Sequence, residues 1–145
     1  MNPEFTTAAE QLIGAAAQRA RTANNPALEP LHILAETLTQ EFCRSLYQAL
    51  GANIPALSNT IEAELKRLPT IQGGELTISP AAQALIRSAQ KIATEMGDQY
   101  VSIELLCMLF LQAHSLHRLI KNLQKITVRH NLLMGSYIVF ERENA

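Results

Sequence analysis

The side chains best suited to chemistry in this sequence are four histidines and two cysteines. His114 and His117 are three residues apart, so on a helix they would share one face. A zinc ion usually takes three or four ligands, and no glutamate or cysteine is spaced to complete a set with this pair. The sequence therefore favours solvated histidines over a metal site, and we expect no cofactor.

The other candidates for chemistry lie within apolar segments. His32 follows Pro30 at a predicted helix start, where a polar side chain more readily bonds a neighbouring loop backbone than performs acid–base chemistry. Cys43 and Cys107 each stand in an apolar helical pattern, which indicates small buried side chains rather than a disulfide or a thiol nucleophile. The sequence therefore predicts no catalytic residue and a reducing, cytoplasmic setting.

Charge and hydropathy argue against two classes of partner. Basic residues recur at three- and four-residue steps from Arg118 to Arg129, a spacing typical of a solvated helix face. With a formal net charge of −1 and no aromatic residues between the basic ones, nucleic-acid binding is not supported. No apolar run approaches the roughly 20 residues of a membrane-spanning helix, and the first residues show no signal-peptide pattern. We therefore expect neither nucleic acid nor membrane as a partner.

Helices must position these residues. The 145 residues suit one core, and 48% are hydrophobic, mostly Ala, Leu and Ile, with only 5% aromatic. Apolar residues at helical spacing predict four helices in the first half, over 6–23, 30–40, 42–50 and 55–68. Residues 69–77, which contain Gly73-Gly74, break the pattern and predict a connector that runs over the surface.

The second half of the chain repeats the first. Six residues of the first helix recur identically at a constant offset of 73, from Ala8 and Ala81 to Ala20 and Ala93. After Gly97 the apolar pattern predicts a one-residue slip to an offset of 72, which pairs Leu31 with Ile103. The predicted fold is all-α, with eight helices in two four-helix repeats, 5–68 and 78–136, and a tail over 137–145. Together these form one domain, 1–145, in which 137–140 reads locally as a strand.

The paired halves resemble the N-terminal domain of the Clp family of AAA+ unfoldases and disaggregases, most closely its ClpB branch. The residues that carry the resemblance are Phe5-Thr6 with the Ala-rich helix, Leu28–Leu34, Leu65–Gly74, and Gly97-Asp98 with Ser102–Leu105. It covers roughly residues 4 to 125. The resemblance implies a helical pseudo-dimer without ATPase activity of its own. The sequence contains no GxxxxGK[ST] phosphate loop, so we expect this chain alone not to hydrolyse ATP.

The resemblance also implies a binding site. Positions matching Thr6, Asp98 and Glu104 border the family's substrate-binding surface, although their positions at turns and helix starts also explain them as structural caps. The apolar candidates for a groove are Ile13, Ile86, Tyr100 and Leu105, residue types that are more often core than surface.

The function implied is binding rather than catalysis. We expect a substrate-binding domain of a ClpB-like chaperone, which binds exposed hydrophobic segments of unfolded or aggregated polypeptides. The alternative is a module that docks an adaptor or a protease, as in a ClpA/ClpC-type system, or a stand-alone relative. We also expect the basic residues from Arg118 to Arg129 to face an ATPase ring.

Overall fold

Helices dominate the computed structural model, which describes residues 3–112. In chain order the elements are β1 (Glu4–Phe5), α1 (Thr7–Thr22), β2 (Ala27–Leu28), α2 (Pro30–Thr37), α3 (Glu41–Ala49), α4 (Ile54–Lys66), β3 (Thr77–Ile78), α5 (Pro80–Glu95), β4 (Tyr100–Val101) and α6 (Ile103–Gln112). Six of the eight predicted helices are therefore described. The predicted third and fourth helices of the second repeat, the tail, His114, His117 and the basic residues from Arg118 to Arg129 lie outside the described residues.

Side-chain caps set the helix starts. The Thr6 hydroxyl accepts a hydrogen bond from the Ala9 N–H at 3.1 Å. The Ser79 hydroxyl accepts one in the same way from the Ala82 N–H at 3.0 Å. Each cap satisfies an amide that the helix itself leaves unpaired, so α1 and α5 both begin where the sequence predicts them.

The two halves correspond at a constant offset of 73, and the predicted slip to 72 is wrong. The turn after α1 is closed by the Asn25 N–H, which donates to Ala20 O. The turn after α5 is closed by the Asp98 N–H, which donates to Ala93 O, at the same offset. The positive φ of Asn24 (58°) recurs at Gly97 (78°). Helices α2 and α6 also start 73 residues apart.

The corrected register changes which residues are equivalent in the core. His32 corresponds to Leu105 rather than to Glu104, and Thr37 corresponds to Phe110. All four side chains are buried. The first repeat thus keeps two polar groups where the second has apolar ones, a difference that the apolar pattern alone concealed.

Two short parallel ladders join the repeats, a feature that the all-α prediction did not include. In the first ladder β1 pairs with β4, with Glu4 opposite Tyr100 and Phe5 opposite Val101. In the second ladder β2 pairs with β3. Each repeat therefore contributes one strand to each ladder, and the strand before the first helix of one repeat pairs with the strand before the second helix of the other.

The hydrophobic core is formed by α2 and α6 together with the helices that pack around them. Alanines at positions 9, 16 and 20 of α1 and at 82, 89 and 93 of α5 are completely buried. Because alanine has no side chain beyond Cβ, the backbones of neighbouring helices can approach closely. Ile33 and Leu106, equivalent residues of α2 and α6, are also completely buried. Within residues 3–112, none of the helices is long and apolar enough to cross a membrane.

The connector between α4 and β3 runs over residues 67–76. Most of its residues are exposed, as predicted. Gly73 and Gly74 both have positive φ, 75° and 90°, which favours glycine. Two hydrogen bonds hold the connector to the first repeat: Asn25 Nδ2 donates to Pro69 O at 3.0 Å, and the Ile71 N–H donates to Asn24 O at 2.8 Å.

Candidate functional site

The first ladder brings four of the seven predicted site residues into one region. The Thr6 N–H donates to Val101 O at 3.0 Å, and the Glu4 N–H donates to Gln99 O at 3.2 Å. Because the strands are parallel, α1 and α6 begin side by side as the strands end. Thr6 and Glu104 therefore lie at two adjacent helix starts, and Asp98 and Tyr100 lie on the strand and turn that lead to α6.

Tyr100 is the exposed apolar group of this region. Its relative exposure is 54%, the largest among the exposed large hydrophobic side chains of the described residues. Its ring offers apolar area together with a hydroxyl, a combination suited to a partly wet contact. We refer to Thr6, Asp98, Tyr100 and Glu104, together with Glu4, as the ladder patch.

Carboxylates surround the tyrosine. Glu4, the register partner of Tyr100, and Asp98 are exposed, and Glu104 is half-buried. Within residues 3–112, none of the three lies within salt-bridge distance of a basic side chain. The ladder patch therefore combines an exposed aromatic ring with negative charge. Like charges facing it would be repelled and basic groups attracted.

The three remaining predicted residues occupy different places. Leu105 is only 5% exposed and packs in the core, so in this structure it does not form part of the exposed surface. Ile13 is half-buried on α1, seven residues and hence roughly 10 Å beyond Thr6. Ile86 is half-buried at the equivalent position of α5. One turn after Ile86, Gln90 Nε2 donates to Pro3 O at 3.2 Å, which places this part of α5 beside the first strand.

Glu4 and Gln90 are members of this region that the sequence did not indicate. A two-residue strand is too short to show an alternating pattern, and its partner lies far away along the chain. The one available signal is the repeat itself: Glu4 is equivalent to Thr77, and both residues precede a capped helix by the same distance.

The cysteines are placed for packing rather than for reaction. Cys43 on α3 and Cys107 on α6 are free and completely buried. Burial and the adjacent Cys43 thiol raise the pKa of the Cys107 thiol. A thiol held in its neutral form is a poor nucleophile. Among the residues that the structure describes, no group of three His, Cys, Asp or Glu side chains could hold a metal ion.

A concave region lies on the first repeat, away from the ladder patch. It is an open cavity of about 310 Å³ between the end of α1, α4 and the connector. The buried imidazole of His32 and the buried amide of Asn25 lie in its wall. At its rim, the Arg19 guanidinium donates to Glu36 on α2 at 2.6 Å and to Glu62 on α4 at 3.0 Å. These charges are paired with each other.

Comparison with known proteins finds one family model and several relatives. The Clp repeat (R) N-terminal domain family matches residues 4–123. The chaperone protein ClpB of Mycobacterium bovis is 36% identical over 103 residues, which are 68% of this chain and 12% of that protein. The ClpB of Dichelobacter nodosus is 32% identical over 109 residues, 72% of this chain and 13% of that protein. The chain thus spans about an eighth of the length of these relatives.

Solved structures show the same fold. The Hsp104 N-terminal domain of Candida albicans superposes with a TM-score of 0.79 at 22% sequence identity, and the match covers 90% of this chain and 88% of that one. A second match comes from a structural study of the ATPase ClpV of type VI secretion, with a TM-score of 0.73 at 18% identity. At these identities the likeness concerns the arrangement of the helices.

Proposed function

This chain belongs to the family of Clp repeat N-terminal domains, and we propose that it is the non-catalytic substrate-binding domain of a ClpB-type disaggregase. Its ligands are exposed apolar segments of unfolded or aggregated polypeptides in the cytoplasm, which it delivers to its own AAA+ ring. The proposed domain comprises residues 1–145, with the predicted repeat boundaries at 5–68 and 78–136.

One observation carries the proposed site: Tyr100 is more than half exposed beside the starts of two helices, with carboxylates around it. A tyrosine side chain offers up to about 200 Å² for burial, so roughly half of it remains available to a ligand. At about 25 cal/mol per Å², covering that area stabilises a complex by about 2.5 kcal/mol before the costs of association. Such a contact binds weakly and releases easily, which suits capture and transfer.

The carboxylates of the ladder patch add a preference for the sign of the charge on the bound segment. Glu4, Asp98 and Glu104 favour segments that carry lysine or arginine next to apolar side chains, and disfavour acidic ones. The contribution of each exposed charge is about 0–1 kcal/mol and decreases with added salt. The preference is therefore mild, as expected of a domain that must accept many sequences. Ile13 and Ile86 would extend the apolar contact along α1 and α5.

The test is an NMR titration of the ¹⁵N-labelled chain with two unfolded synthetic peptides. Both contain the same leucines and tyrosines, and one carries lysines where the other carries glutamates. We expect shifts around Thr6, Asp98, Tyr100 and Glu104, and tighter binding of the lysine peptide. Tyr100→Ala should weaken binding about 5- to 50-fold, because up to about 2.5 kcal/mol of burial is lost. Glu104→Ala should reduce the preference between the peptides.

Phe42→Ala is the matched control, because Phe42 is also an exposed aromatic residue (41%) but lies on α3 outside the ladder patch. It should leave the affinity unchanged. If Tyr100→Ala and Glu104→Ala remain folded and bind both peptides like the unsubstituted chain, the site lies elsewhere. Tight one-to-one binding of a folded adaptor in preference to either peptide would instead support a docking module.

A further inference from the structure

A chain of hydrogen bonds runs through the buried imidazole of His32. The Glu29 N–H donates to Nδ1 at 2.9 Å. Nε2 lies 2.9 Å from Asn25 Oδ1, and Asn25 Nδ2 donates to Pro69 O at 3.0 Å. A backbone N–H can only donate, so Nδ1 must accept and the ring proton of a neutral imidazole is on Nε2. Every group in this relay, from Glu29 through His32 and Asn25 to Pro69, has one fixed role.

The relay connects three parts of the first repeat. Glu29 precedes α2, Asn25 lies in the turn between α1 and β2, and Pro69 begins the exposed part of the connector. Next to it, the Ile71 N–H donates to Asn24 O. The same turn leads into the second ladder, where the Thr77 N–H donates to Pro26 O at 3.1 Å. One turn of chain therefore holds both the connector and a ladder that joins the two repeats.

A second proton on the imidazole is incompatible with this arrangement. It would be added at Nδ1, towards which the Glu29 N–H already points, and two N–H groups cannot share a hydrogen bond. We propose that His32 is a proton-operated latch: the clash at Nδ1 displaces the imidazole, Nε2 then leaves Asn25 Oδ1, and the connector that Asn25 holds at Pro69 is freed from the first repeat. The second repeat cannot have this latch, because Leu105 occupies the position equivalent to His32.

The charged groups near His32 come from the residue before its own helix, from α1 and from α4. Glu29 precedes its own helix, Arg19 reaches from α1 and is paired with Glu36 and Glu62, and Lys66 lies at the end of α4 in the same cavity wall. Burial lowers the pKa of His32 below its ordinary value of 6.5, the Glu29 carboxylate partly offsets this, and Arg19 adds to it. His32 therefore binds a proton less readily in the native state than in an unfolded chain.

The sign of the pH dependence follows. Below pH 6.5 an unfolded or released segment binds a proton at His32, whereas the latched state does not until its own lower pKa is reached. The latch is therefore fully stable above pH 6.5 and weakens as the pH falls towards that lower value. One proton changes the ratio of released to latched molecules by up to about tenfold per pH unit in this interval.

The test follows the unsubstituted chain by NMR between pH 7.5 and 5. Ring-nitrogen spectra should show His32 with its proton on Nε2 and a titration midpoint below 6.5. Over the same interval the hydrogen-exchange protection factor of the Ile71 amide should fall by up to about tenfold per pH unit, while that of Ala89 in α5 should not. A proton on Nδ1 at neutral pH, or a protection factor of Ile71 that does not change as His32 titrates, would overturn the proposal.

A charge substitution with a matched control separates the relay from general electrostatics. Asn25→Asp places a carboxylate against Nε2, so the His32 midpoint should rise above 6.5. It also removes the amide that donates to Pro69, so Ile71 should be poorly protected at every pH. Asn24→Asp adds the same charge one residue earlier, at a residue whose side chain is exposed. It should change both quantities little, and equal effects of the two substitutions would refute the latch.

Discussion

Thr37 provides the most direct test of the polar groups in the core. The side chain is completely buried at the end of α2. Its hydroxyl donates to Leu34 O at 2.6 Å and lies 2.9 Å from the Tyr47 hydroxyl on α3. Since threonine has a single hydroxyl proton and Leu34 O takes it, Tyr47 must be the donor to Thr37 Oγ1. Burial raises the pKa of Tyr47 well above 10, so the phenol keeps its proton at all working pH values.

The substitution Thr37→Val keeps the shape of the side chain and removes this acceptor. No cavity forms, so the cost comes from the lost bond to Leu34 O and from the Tyr47 hydroxyl that is left in the core without this partner, together about 1–3 kcal/mol of unfolding free energy. Tyr47→Phe removes the donor instead and should cost about 1 kcal/mol, because Thr37 keeps its bond to Leu34. The double variant should lose less than the sum of the two, by about 1 kcal/mol, because it leaves no orphaned hydroxyl.

The assay is urea unfolding followed by far-ultraviolet circular dichroism at neutral pH. Thr60→Val is the matched control. The Thr60 hydroxyl also donates within its helix, to Ala56 O at 2.9 Å, but the residue is only half-buried. This control should change the unfolding free energy by no more than about 0.5 kcal/mol. Equal small effects of Thr37→Val and Thr60→Val, or strict additivity in the double variant, would refute the assigned hydrogen bond.

Three further predictions concern the backbone. Gly14→Ala should raise the melting temperature, because Gly14 lies within α1, no atom would contact an added Cβ within 4 Å, and alanine is favoured in a helix by about 0.5–1 kcal/mol. Gly97→Ala, which is equally free of contacts but has a φ of 78°, should lower the melting temperature through a cost of about 1–2 kcal/mol. Amide hydrogen exchange should be faster at residues 70–76 than at 31–37, because the connector is exposed and has few hydrogen bonds. Slow exchange at both would contradict this.

The helices could be predicted because their signals are local. Thr6, Ser79 and Pro80 stand where helix starts require them, and the buried alanines recur with the helical period. The register of the second half could not be predicted in the same way. In α6 almost every side chain is apolar, so the hydrophobic pattern fits at either of two offsets. The hydrogen-bonded turn at Asp98 decides between them, and a turn is not visible in the apolar pattern.

The ladders and the polar core lie beyond sequence reasoning for a different reason. Two-residue strands carry no periodic signal, so the pairing of Glu4 with Tyr100 depends on the tertiary fold. The sequence predicts that His32 bonds a nearby loop backbone, and its bond from the Glu29 N–H confirms this. Its link to Asn25 and onwards to the connector needed the structure. For the ladder patch, the sequence suggested the residues, and their common location follows from the first ladder.

The pairing of β1 with β4 also has a consequence for synthesis of the chain. Strand β1 is made first among the described elements, and its partner follows only after five helices have been translated. At typical rates of synthesis the delay is on the order of 5 to 20 s. During that time Glu4 and Phe5 have no strand to pair with, although α1 and α2 can already pack. The strand edge of the first repeat thus has no ladder partner until Tyr100 and Val101 leave the ribosome.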